Sequence, residues 1–96
     1  MPAYVIVETD IHDPKQYEHY KAASPAAVAA GGGHFVVRGG ELAVLEGDWH
    51  PKRLVILEFE DLEAVKRWYE SPGYQEAKKL REGAANLNMV AVEGIS

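Results

Sequence analysis

The chain has 96 residues, no Cys, 47% hydrophobic content, and 15 acidic against 10 basic side chains for a formal charge of −5. That length leaves room for a single domain spanning residues 1–96, and the lack of Cys excludes disulfide stapling and Cys-based zinc sites. The acidic balance argues against a nucleic-acid or anionic-membrane partner, and no apolar run suits a signal h-region or a bilayer span, which points to a cytoplasmic protein.

The first run, Ala3 to Thr9, carries the β-branched residues Val5, Ile6 and Val7 and reads as a strand covered on both sides. Asp13 before Pro14 is an N-cap and N1 pair, with Gln16 at the reciprocal position of a capping box, so a helix starts there. Tyr17, Tyr20, Ser24 and Val28 recur on one side of it, Pro25 is expected to kink it, and Gly31 to Gly33 end it. These glycines do not make a phosphate loop, because they follow a helix and precede a strand. His34 to Gly39 and Leu42 to Leu45 read as strand segments around Gly39-Gly40, and Asp48 to Lys52 reads as loop.

Arg53 to Glu60 (RLVILEFE) is the strongest strand pattern in the chain. Asp61 caps a helix whose Leu62, Val65, Trp68 and Tyr69 are expected to face inward, and Ser71-Pro72 stops it and caps another. Tyr74, Ala77, Leu80 and Ala84 form the apolar line of that piece, and Leu87 to Glu93 supplies a final strand. The order β-α-β-β-α-β is that of an α+β, ferredoxin-like plait, an antiparallel sheet with its helices on one face. Consecutive apolar residues on the strands imply that the other face is covered too, and a second copy of the sheet, a homodimer, is the simplest cover.

Placed in plait order, strands one and three are expected side by side and parallel. Glu8, Glu58 and His34 then share one edge of the sheet as an acid/base cluster; the alternative is two solvated carboxylates and an exposed imidazole. The four His residues lack metal-ligand spacing, so no metal is expected. Ser24 and Ser71 both precede Pro and suit turns or caps rather than nucleophiles. Tyr17, Tyr20, Trp68, Tyr69 and Tyr74 either pack the core or line a cleft between sheet and helices. Arg38 and Arg81, set among apolar residues, either pair with an acid such as Glu46 or Glu58 or reach a ligand carboxylate or enolate.

The run AYVIVETDIHDPKQYEHY, then RGGE, LEGDW, LEFED, RWYESPGYQEAKKLRE and a terminal VEG resemble the domain-of-unknown-function 1330 family over nearly the entire chain. Tyr17, Tyr20, Arg38, Trp49, Arg53, Glu58, Trp68, Tyr69, Tyr74 and Arg81 are among the positions matching the family pattern, and His34 falls at a more permissive one. The resemblance implies a dimeric α/β barrel, in which two sheets face each other. That superfamily also houses cofactor-free monooxygenases and small-molecule isomerases. The resulting expectation is a small organic acid or aromatic ligand bound by Tyr17, Tyr20, Arg38 and Trp68, with Glu58 as a candidate base and no cofactor. The competing expectation is a structural or interaction dimer without ligand.

Overall fold

The computed structural model describes residues 1–95. Its elements run β1 (Ala3–Ile11), α1 (Pro14–Ala30), β2 (His34–Arg38), β3 (Leu54–Phe59), α2 (Leu62–Glu70), α3 (Pro72–Lys79) and β4 (Ala85–Glu93). Each helix begins where the side-chain chemistry requires. Asp13 accepts from the Gln16 amide at 3.1 Å, Asp61 from the Ala64 amide at 2.7 Å, and Ser71 from the Tyr74 amide at 3.2 Å. Gln16 does not close a capping box. Its side-chain amide instead reaches across to the carbonyl of Glu82 at 2.6 Å, tying the start of α1 to the turn before β4.

The strands form one sheet in the order β2-β3-β1-β4, and every neighbouring pair is antiparallel. The expected parallel pairing of strands one and three is therefore corrected. A crossover through α1 makes β1 and β2 run the same way, and β3, turning back from β2, lies between them and opposes both. Two local expectations also change. Leu42 to Leu45 forms no strand, because the chain leaves the sheet at Gly39, whose φ of 71° turns it away from any partner edge. Ser24 occupies no turn or cap; it is buried within α1.

All the buried side chains of the sheet point to the helices. Ala3, Val5, Val7 and Thr9 of β1 alternate with residues of the other face, as do Val55, Leu57 and Phe59 of β3. Against them pack Tyr17, Tyr20, Ser24 and Val28 of α1, Ala64, Val65 and Trp68 of α2, and Tyr74 and Ala77 of α3. Leu80, expected on this apolar line, is 40% exposed, because the helix ends at Lys79. The glycines after α1 do more than stop it. A Cβ on Gly33 would stand 2.5 Å from the Phe59 ring, and one on Gly31 would stand 2.8 Å from the Trp68 Cβ, so bare backbone lets both aromatic groups close the core.

Candidate functional site

The first candidate lies on the helix side of the sheet, and a bulge puts its charged residue there. Phe35 pairs with Leu57 and Arg38 with Val55, with one extra residue between them on β2. Phe35 and Arg38 consequently share the helix-facing side, and the guanidinium stacks over the Phe35 ring at 4.5 Å from its centroid. The same guanidinium donates to the Lys21 carbonyl at 2.9 Å. That carbonyl is one turn before Pro25, which has no N–H to offer it, so Arg38 satisfies the acceptor that the proline leaves open. Neither Arg38 nor Arg81 forms an ion pair with a carboxylate among the described residues.

Tyr17, Tyr20, Arg38 and Trp68, the four ligand-binding residues expected from the sequence, line one cavity of about 30 Å³ together with Ser24, Phe35 and Arg53. That volume suits a water molecule rather than an organic ligand. In front of it lies an open recess of about 390 Å³ bordered by Glu18, Lys21, Ala22, Arg38 and Arg53. Lys21, Arg38 and Arg53 belong to both, so the recess is the cavity's mouth. Arg53 was not among the expected site residues. The signal for it was strand alternation: it stands two positions before Val55 and four before Leu57, and so faces the helices as they do. Its guanidinium lies 5.9 Å from the Tyr17 ring centroid.

Behind the cavity the polar ends of the aromatic core meet. The Tyr20 and Tyr74 hydroxyls are 2.9 Å apart, and Arg81 donates to the Tyr74 hydroxyl at 3.4 Å while lying 5.2 Å from the Tyr20 ring centroid. Burial, reinforced by the neighbouring Tyr74, pushes the Tyr20 hydroxyl far above the ordinary phenol range. The Trp68 indole N–H is buried with no hydrogen-bond partner among the described residues.

Glu58 lies on the opposite face of the sheet. It pairs with Tyr4 on β1 and His34 on β2, and its carboxylate is 3.3 Å from the His34 imidazole. The structure therefore brings Glu58 to His34 but not to Arg38, and it separates both from Glu8. Glu8 sits opposite Leu54, four residues along the strand from the Tyr4 and Glu58 pair, or about 13 Å away. Both Glu8 oxygens are engaged, one by the Trp49 indole at 3.0 Å and the other by the Asn88 amide at 3.1 Å. The expected three-residue acid/base cluster is thus corrected to a His34 and Glu58 pair, because antiparallel strands send Glu8 and Glu58 to opposite ends. No group of three or more His, Cys, Asp or Glu suited to holding a metal ion occurs among the described residues.

An antiparallel sheet in this order, with its helices on one face, defines an α+β protein of the ferredoxin-like class. The chain belongs to the family described as Domain of unknown function (DUF1330), whose family model matches residues 2–95. It is similar to a protein of unknown function from Rhodopseudomonas palustris at 21% identity, covering 99% of this chain and 83% of that one, with a TM-score of 0.76. It is also similar to SnoaB, a cofactor-independent oxygenase from Streptomyces nogalater, at 15% identity, 99% and 94% coverage, and a TM-score of 0.66. A third solved structure, a dimeric ferredoxin-like protein of unknown function from Thermobifida fusca, matches at 16% identity, 96% and 90% coverage, and a TM-score of 0.63. No curated protein matches the chain by sequence. No helix among the described residues is long and apolar enough to cross a membrane.

Proposed function

We propose that this protein is a cytoplasmic homodimer that binds a small organic acid, aromatic or keto, at the mouth of the cavity between sheet and helices. The observation that carries the reading is the convergence of Tyr17, Tyr20, Trp68 and Arg38 on one cavity that opens into a recess bordered by cations. The acid group sits in the recess, whose volume is in the range of small-ligand sites. The flat body of the ligand widens the inner cavity and lies against the tyrosine rings. Calorimetry with phenylpyruvate and related acids tests it: binding is expected, and Arg38→Ala or Trp68→Ala should abolish it. If those substitutions only lower stability, and no acid binds the parent protein, the structural-dimer reading takes its place.

Dimerisation in this reading is through the face that the helices leave open. Val90 and Val92 there are 61% and 50% exposed, and the neighbouring Ile6 and Ile56 are only half-buried. The similar Thermobifida fusca protein is described as dimeric, which supports assembly into a dimer. Sedimentation showing a monomer at micromolar concentration would overturn it, and cell fractionation tests the cytoplasmic placement.

A second reading, cofactor-free oxygenation or isomerisation of an activated carbon acid, draws support from the similarity to SnoaB and from the His34 and Glu58 contact. Glu58 is the base in this reading, with His34 exchanging its proton on the open face. Turnover of keto-enol and quinol substrates, compared between the parent protein and Glu58→Gln across pH, decides it. Activity unchanged by the substitution removes Glu58 from the mechanism.

A further inference from the structure

We propose that Arg53 is the second half of a two-guanidinium clamp with Arg38, so that a carboxylate, rather than aromatic character, is what the recess selects. The inference rests on the ligand reading above and names the group that sets its specificity. Every ion pair among the described residues uses a lysine or His34: Lys21 with Glu18, Lys52 with Asp10, Lys66 with Glu63, Lys79 with Glu76, and His34 with Glu58. The chain carries an acidic excess of five, yet Arg38 and Arg53 take none of its carboxylates. Arginine is the side chain whose planar fork best matches a carboxylate, and leaving two such forks without acids on one recess points to an anion from outside.

The sheet sets their spacing. Arg38 stands directly opposite Val55, and Arg53 lies two residues before Val55 on the neighbouring strand line, with its carbonyl still accepting from the Thr9 amide at 3.0 Å. They are diagonal neighbours on one face, about 7–8 Å apart at the backbone, a distance across which two long side chains can grip one carboxylate. Arg38 is held by Phe35 and the Lys21 carbonyl. Arg53 is held between Tyr17 and Gly39, where a Cβ would stand 2.9 Å from the Arg53 Nε, so the bare Gly39 backbone makes way for the guanidinium. Glu18, the acid on the rim, is matched by Lys21 at 3.3 Å, which leaves the charge of the two arginines uncancelled across the recess.

The test compares benzoate and phenylpyruvate with neutral benzamide by calorimetry on the full chain. The acids are expected to bind at least tenfold more tightly than benzamide, and their affinity to fall with added sodium chloride while that of benzamide does not. Arg53→Gln should weaken the acids tenfold or more and leave benzamide unchanged, Arg53→Lys should recover part of the loss, and Lys52→Gln should change nothing. Equal binding of acids and benzamide, or an equal loss of both in Arg53→Gln, overturns the clamp and leaves the ligand reading standing. No binding of any of the three by the parent protein overturns both. If Arg53→Gln does not fold by circular dichroism, the salt dependence of the parent protein and the Arg53→Lys affinities decide the matter.

Discussion

The two faces of this sheet are built from the same strands and have opposite characters. On the helix side, Val5, Leu57, Phe59, Trp68 and Tyr74 are almost fully buried, and the aromatic rings touch one another, with Phe59 and Trp68 centroids 5.1 Å apart and Trp68 and Tyr74 centroids 4.4 Å apart. On the other side, apolar Ile6, Ile56 and Val90 form a row between two others, His34 and Glu58 with Tyr4 and Val92 at one end and Glu8 with Asn88 at the other. One face is covered by the chain's own helices and the other keeps apolar side chains exposed. Burial by its own helices makes the first face the source of stability, whereas the exposed valines make the second the face on which the proposed dimer rests.

The largest expected effect comes from emptying the covered face. Trp68→Ala should cost about 3–5 kcal/mol of unfolding free energy, measured by urea denaturation. Val90→Asp on the other face should leave the protomer folded but turn the proposed dimer into a monomer in sedimentation; a loss of stability as large as that of Trp68→Ala, with no change in assembly, would erase the distinction between the faces. The buried phenol of Tyr20 sharpens it further. Because its folded pKa is raised, its contribution is fully present below the ordinary phenol pKa near 10 and is lost as pH rises above it. Urea midpoints should therefore fall steeply above about pH 10, and Tyr20→Phe should flatten that fall.

Arg38→Ala should cost at most about 1 kcal/mol, because the Lys21 carbonyl loses its protein donor at an exposed contact that water can replace. In a Pro25→Ala background, which restores an N–H at position 25, the same substitution should cost less, and a double-mutant cycle measures the difference. The smallest effect belongs to the open face. His34→Gln should change stability by less than about 1 kcal/mol, because the imidazole is 66% exposed in its contact with Glu58.

Most of the fold was legible from local chemistry. Asp13, Asp61 and Ser71 announced the helix starts, the Tyr17, Tyr20, Ser24 and Val28 spacing gave the buried face of α1, and the resemblance carried by runs such as RGGE, LEGDW and RWYESPGYQEAKKLRE led to the family. These signals act over a few residues, so capping and periodicity mark the elements without reference to the rest of the fold. Strand pairing was a different matter. Glu8 and Glu58 were expected together and lie at opposite ends, because direction within a sheet depends on how crossovers connect strands and not on the residues in them. Leu42 to Leu45 has strand composition but no partner edge, and propensity alone does not supply one. The same holds for the site: its aromatic walls could be named from helix spacing, but a bulge in β2 brought Arg38 to the helix side, and only register set Arg53 beside it. Side-chain identity and periodicity are properties of the chain, whereas which two charges meet across a sheet is set by register, and register exists only once the strands have paired.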